Sequence, residues 1–215
     1  MEISSYFAEG INHFTKEDLL PLVCAAAALR DEKKLRGFIL AGKEKGIKDI
    51  ELYESLLQNY LFTGYPTAMI SLKILNEYIA NDKNQLIESW NLNTYRERGT
   101  KNCKKVYGRK FNKLINNVKS FSPELSDWLL LEGYGKVMGR KGLSLRKREL
   151  NNVSVLTSLK FEDQLYSHIN GALRTGSSPE QIGAVISNLK IFGNPELVKF
   201  GRKTLKKFFV QKGLG

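Results

Sequence analysis

The residue with the clearest capacity for acid–base chemistry is His168, one of two histidines in the chain. An imidazole changes its protonation state near neutral pH, so it can both donate and accept a proton in a reaction. His168 also lies one helical turn from Leu165 and Ala172, and a histidine on such an apolar face is often a hydrogen-bonded core residue. The residues alone leave both interpretations open.

The segment around His168 resembles an earlier part of the chain. Residues 29–46 recur as residues 159–176 after a shift of 130 positions, and the shift places Phe38 on His168. A match of this kind indicates a duplicated unit. We expect only the second copy to hold a working site, with the first copy as scaffold. Replacing Phe38 by alanine should then reduce stability, whereas replacing His168 should reduce activity and leave stability nearly unchanged.

Three runs of sequence near His168 resemble the carboxymuconolactone decarboxylase family, which includes the AhpD-like alkylhydroperoxidases. They are Gly142–Leu150, Leu165–His168 and Gly171–Gly176, followed by a tail from Ile182 to Pro195. The resemblance covers residues 140–198 well and residues 19–75 loosely. It implies an all-α, AhpD-like helical fold built from two fused repeats. It also implies a homo-oligomer, with a trimer or a dimer expected.

Within this resemblance, the peroxidase members use a glutamate, a pair of cysteines and a histidine. The chain keeps Glu149 and His168 at the matching separation of 19 residues, but Phe161 and Gln164 stand at the two cysteine positions. Peroxide reduction by a dithiol needs one thiolate that attacks and a second thiol that resolves. We therefore expect no thiol peroxidase activity, and Cys24 and Cys103 do not replace the missing pair.

The decarboxylase members lack the cysteine pair and keep the histidine, so they resemble this chain better. The resemblance implies a lyase acting on a small carboxylated lactone or related cyclic acid, with His168 as the catalytic proton donor and Glu149 fixing its tautomer. Arginines near the pocket would bind the substrate carboxylates: Arg146, Arg148 and Arg174. A surface ion pair between Glu149 and the neighbouring basic residues is an equally good interpretation of that glutamate.

Helices with recognisable ends would position these residues. Thr15 with Asp18, and Ser178 with Gln181, have capping-box spacing, and Ser144 can cap the helix that carries Glu149. We expect three segments: a degenerate first repeat at 1–79, a basic connector at 80–120 with helical character over 110–118, and a second repeat at 121–215.

The composition limits the classes of partner. Net charge is +12, and nine basic residues occur between Arg96 and Lys119. No nucleic-acid-binding motif accompanies them, so a solvated basic face is the simpler interpretation. The alternative function is a non-catalytic, oligomeric AhpD-like protein that binds an anionic partner through this basic surface.

Cofactors, metals and membranes are not expected. Cys24 and Cys103 are 79 positions apart, without the neighbouring ligands of a zinc or redox motif. The longest apolar run, Leu19–Leu29, is 11 residues, whereas a membrane span needs about 20. With no signal-peptide pattern at the N-terminus, a cytoplasmic location is expected.

Overall fold

Helices account for nearly all of the structure, a computed structural model that describes residues 11–79 and 88–213. No strand occurs in these two ranges. The first range contains α1 (Lys16–Ala28), α2 (Glu32–Glu44), α3 (Asp49–Gln58) and α4 (Tyr60–Leu75), which is interrupted at Gly64. The second contains α5 (Leu92–Tyr107), α6 (Phe111–Phe121), α7 (Pro123–Trp128), a π-helical segment (Leu129–Val137), α8 (Leu145–Ser158), α9 (Glu162–Arg174), α10 (Pro179–Asn188) and α11 (Pro195–Lys212). Short 3-10 turns precede α6 and α11.

The helix ends lie where the capping residues predict them. The Thr15–Asp18 and Ser178–Gln181 capping boxes both form, and Ser144 accepts a hydrogen bond from the backbone N–H of Lys147. Each bond satisfies a backbone donor that has no partner within its own helix. The all-α prediction is therefore confirmed, and local side chains fix where its helices begin.

Three helices of the first half have counterparts 130 residues later. Helices α1, α2 and α3 correspond in this register to α8, α9 and α10, with equal bounds for the last two pairs. The two non-glycine residues with positive φ, Arg30 and Lys160, are also separated by 130 positions, at φ 58° each. The duplicated repeat remains a prediction that this correspondence supports.

The centre of the fold is formed by α1 and α8, which pack against each other. Every residue from Leu19 to Ala28 and from Arg148 to Ser158 is buried. A helix buried on all sides has no solvent face to which polar side chains can turn. The polar residues of α8 must therefore find partners inside the protein.

The predicted basic connector is more ordered than the sequence suggests. Its residues 80–87 lie outside the described ranges, but α5 packs closely along the π-helical segment. A Cβ on Gly99 would collide with the carbonyl oxygen of Leu130, and a Cβ on Gly135 with that of Tyr95. The two glycines thus allow the two backbones to touch. Buried Cys103 and Val106 of α5 cluster with Tyr134 and Met138, and α5 also packs against α9.

No helix in the described part of the chain is both long enough and apolar enough to cross a membrane.

Candidate acid–base site

His168 and Glu149 meet in the interior. Nδ1 of His168 lies 2.7 Å from Oε2 of Glu149, and the residues are 8% and 0% exposed. Glu149 lies on α8 and His168 on α9, and these neighbouring helices pack along their lengths. The surface ion-pair interpretation of Glu149 is therefore wrong, because α8 is buried on all sides from Arg148 to Ser158 and the carboxylate of Glu149 lies in the interior.

Asn152 is the second polar neighbour of the imidazole. Its Nδ2 lies 3.3 Å from Nδ1 of His168, and its Oδ1 accepts a hydrogen bond of 2.8 Å from Nε2 of Gln58. The contact with Glu149 is shorter and reaches a carboxylate, so Nδ1 carries the proton that it donates to Glu149. In the neutral ring, Nε2 is then the basic nitrogen.

The carboxylate of Glu149 fits closely into its surroundings. A side chain at Gly171 would collide with Oε2, and Val106 lies 2.7 Å from the position of such a Cβ. Oε1 is buried and has no hydrogen-bond partner among the described residues. His168 thus supplies the hydrogen bond that holds this carboxylate.

A cavity of about 490 Å³ opens next to His168. Such a volume is typical of sites for small molecules. Asn152, Gln164 and Met138 line it together with six aromatic residues: Tyr60, Phe62, Tyr107, Phe121, Trp128 and Tyr134. The ring of Phe62 meets that of His168 edge to face, with centroids 5.8 Å apart. The α6–α7 region and the π-helical segment form much of the wall, which agrees with the frequent occurrence of π-helical turns at functional sites.

The three tyrosines of the cavity remain protonated. Burial raises the pKa of Tyr134 well above its usual value, and the charges near it, Glu149 among them, add to the shift. Burial also raises the pKa of Tyr107. For Tyr60, burial and the hydrogen bond to the Glu132 carboxylate raise the pKa. All three phenols are consequently hydrogen-bond donors at neutral pH.

A buried polar network continues from the site into the first half of the chain. Gln58 donates from Nε2 to the carbonyl of Arg148 at 3.1 Å, and Nη1 of Arg148 donates to Oε1 of Gln58 at 3.3 Å. Nη2 of Arg148 lies 2.7 Å from Oε2 of Glu54, and Arg140 also pairs with Glu54 at 2.9 Å. The sequence did not point to Asn152, Gln58 or Glu54. Asn152 lies just beyond the family-like run Gly142–Leu150, and the other two residues lie in the first half of the chain.

The three arginines predicted to bind substrate do not line the His168 cavity. Arg148 is 0% exposed, and its guanidinium pairs with Glu54 on the face of α8 that packs against α3. Arg146 lines a separate cavity of about 430 Å³ and donates to Gln181 at 3.3 Å. Arg174 is exposed, and its Nε donates to the carbonyl of Lys105 at 2.9 Å. Successive residues of a helix point about 100° apart, so proximity to Glu149 in sequence did not bring Arg146 and Arg148 to the cavity.

The structure contains no cysteine pair suited to redox chemistry among the described residues. Phe161 is 49% exposed at the start of α9, and Gln164 lines the cavity one turn later. Cys24 and Cys103 are both buried and free. Burial raises the pKa of each thiol, to about 12 for Cys103. Within the two described ranges, no group of three or more histidine, cysteine, aspartate or glutamate side chains could hold a metal ion.

Comparison with known proteins finds a family match within the second half of the chain. Residues 123–199 match the model of the carboxymuconolactone decarboxylase family. A 4-carboxymuconolactone decarboxylase from Acinetobacter baylyi (strain ATCC 33305 / BD413 / ADP1) is 25% identical over 88 residues. That match covers 40% of this chain and 66% of the relative, so the chain spans slightly less than two thirds of the relative's length. Both matches agree with the resemblance found in the motifs.

Proposed function

We propose that the chain is an enzyme that transfers a proton to or from a small cyclic compound, because residues 123–199 match the model of the carboxymuconolactone decarboxylase family. His168 is the acid–base group in this proposal. The observation that carries it is the hydrogen bond of 2.7 Å between Nδ1 of His168 and Glu149, next to a cavity of about 490 Å³.

The pairing explains how one histidine can serve as both base and acid. With its proton on Nδ1 held by Glu149, the neutral ring presents a basic Nε2 to a ligand. After Nε2 takes a proton, the carboxylate of Glu149 stabilises the imidazolium. The imidazolium can then return the proton to a carbanion or enolate. Decarboxylation produces such a carbanion, so the same arrangement supports a lyase.

The first substrate class to test comes from the family. The name of the Acinetobacter relative indicates that it acts on 4-carboxymuconolactone, and a carboxylated lactone or related cyclic acid of this size is the starting candidate. The geometry of this chain supports proton transfer by His168. The choice of ring compound comes from the relative.

Solvent deuterium exchange tests the proton transfer even where the reaction product has not been identified. The protein is incubated in D₂O with a panel of cyclic lactones and enones that includes 4-carboxymuconolactone, and deuterium incorporation and carbon dioxide release are followed by NMR. We expect His168→Gln to reduce the catalysed rate by about 10²- to 10⁴-fold, which is the usual contribution of a general acid–base group. Glu149→Gln should reduce it by a smaller factor, because it weakens the support of the imidazolium.

His13→Gln is the matched control, because His13 is exposed and lies outside the cavity. It should leave the exchange rate unchanged. Equal rates for wild type and His168→Gln on every compound that reacts would contradict the proposal.

The second candidate function is a non-catalytic protein that binds an anionic partner. The exposed basic residues of α5, α6 and the turn between them favour it: Lys101, Lys104, Lys105, Arg109, Lys110 and Lys113. Binding of a polyanion such as heparin, weakened by salt and by charge reversal at Lys104 and Lys105, would support this function. Catalysed exchange that depends on His168 would favour the enzyme instead.

A further inference from the structure

Positive charge is absent from the lining of the His168 cavity. Neither lysine nor arginine contributes to it among the described residues, and Glu132 supplies its one formal charge apart from His168. Glu132 accepts a hydrogen bond from Tyr60, and its nearest cation, Lys136, lies 3.7 Å from Oε1. The ammonium of Lys136 also lies 4.6 Å from the centre of the Trp90 ring, and Trp90 is not part of the lining.

Cations near the site are directed elsewhere. Nζ of Lys110 lies over the ring of Tyr166, and Nζ of Lys104 lies over the ring of Phe111. Arg148 is held by Glu54 and Gln58. A carboxylate in the cavity would therefore lose hydration without gaining a lysine or arginine partner, which is unfavourable. It would also meet the like charge of Glu132.

The polar groups at the inner end of the cavity suit a neutral oxygen. Nε2 of His168 makes no hydrogen bond to another described residue, since both contacts of the ring use Nδ1. The hydroxyl of Tyr134 lies beside Tyr107 and is itself fully buried, so it belongs to the wall of the cavity.

From these contacts we infer that the cavity binds an uncharged, ring-bearing compound with a hydrogen-bonding oxygen that faces His168. Aromatic side chains around a flat ring supply offset and edge-to-face contacts. This inference rests on the proposed function for the role of His168, and it replaces the carboxylated lactone with a neutral substrate class such as a phenol, an enone or an unsubstituted lactone.

A pair of ligands that differ in charge and match in size tests the inference. Binding of 6-hydroxy-2-naphthamide and of 6-hydroxy-2-naphthoate is measured by isothermal titration calorimetry near neutral pH. We expect the uncharged amide to bind at least about tenfold more tightly than the carboxylate. Equal or tighter binding of the carboxylate would overturn the inference, and so would the absence of binding by either compound below about 1 mM.

Two variants test the cause of this preference. Leu125 lies at the mouth of the cavity and is 49% exposed, so Leu125→Arg adds a cation there without burying it. It should reduce or reverse the preference for the amide. Leu92→Arg adds the same charge on an exposed residue of α5 that does not line the cavity, and it should leave the preference unchanged. Equal effects of the two variants would show that the preference does not arise in this cavity.

This measurement is independent of turnover. A preference for the amide without catalysed exchange would reject the proposed enzyme and retain the ligand class. Exchange that depends on His168, together with a preference for the carboxylate, would retain the proposed enzyme and reject the uncharged ligand class.

Discussion

At the residue scale, the hydrogen bond between His168 and Glu149 should stabilise the folded protein in addition to its proposed role in catalysis. From the sequence, a cost in stability is expected at Phe38, which is indeed 0% exposed, and not at His168. Glu149 is also fully buried, however, and one of its oxygens already lacks a partner among the described residues. Loss of the imidazole would leave the carboxylate with no close hydrogen-bond donor.

We therefore predict that His168→Ala lowers the free energy of unfolding by about 1–3 kcal/mol, which is the cost of leaving a buried polar group unpaired. Urea denaturation monitored by circular dichroism measures this change. In the double variant His168→Ala/Glu149→Leu the buried charge is gone, so most of the lost stability should return. If the loss of stability in the double variant equalled the sum of the losses in His168→Ala and Glu149→Leu, the two side chains would not be energetically coupled.

A second prediction concerns peroxide. With Phe161 and Gln164 at the cysteine positions, and with burial raising the pKa of both thiols, the protein should not reduce hydrogen peroxide or alkyl hydroperoxides with a dithiol donor. A coupled assay of dithiol oxidation measures the rate. Turnover that persists in Cys24→Ser/Cys103→Ser would mean that peroxide is reduced by chemistry other than that of cysteine.

At the element scale, local signals in the sequence are predictive and contacts between distant segments are not. Thr15, Ser144 and Ser178 cap helices through bonds to residues only three positions away, so a single sequence reveals them. The packing of α5 on the π-helical segment depends on Gly99 and Gly135, which lie on different elements. The sequence contains no signal that another backbone contacts either glycine. For this reason the sequence alone suggests a connector in this region.

The contact between these two backbones gives a third prediction. Gly99→Ala places a methyl group against the carbonyl of Leu130 and should lower the free energy of unfolding by about 3 kcal/mol or more, at the upper end of the cost of overpacking. Thermal and urea denaturation both measure the effect. Gly133→Ala is the control on the π-helical segment, because its nearest atom would be Cδ1 of Leu129 at an ordinary 3.8 Å. Equal stability of the two variants would rule out the close approach.

At the scale of the whole molecule, the two halves share one polar interior. Glu54 and Gln58 from α3 meet Arg148 and Asn152 from α8, which lie about 90 positions further along the chain. The offset of 130 residues predicts that the two copies resemble each other, but it does not predict which side chains of one copy face the other. For this reason the network that supports His168 could not be predicted from the sequence.

The outer surface gives a fourth prediction. Helix α4 exposes Tyr65, Met69 and Ile70, which are 65%, 67% and 47% accessible. Neighbouring apolar residues on one helix face are common at protein interfaces. We expect a homo-oligomer in solution and expect Met69→Asp to shift it toward the monomer, as measured by size-exclusion chromatography with light scattering. Lys206→Asp, at an exposed position of α11, is the control that introduces the same residue. A monomeric wild-type protein would contradict the expectation.

The rate at which Cys103 reacts with a thiol reagent can measure how often the wall of the cavity opens. Cys103 is fully buried in a cluster with Tyr134 and Met138, which both line the cavity, and burial, followed by the charge of Glu149, raises the pKa of the thiol to about 12. The thiol is therefore shielded and protonated, so an alkylating reagent can modify it only after this cluster opens. In a Cys24→Ser background, the labelling kinetics of this one sulfur would report how often the wall of the cavity opens, and a ligand that occupies the cavity should slow the labelling.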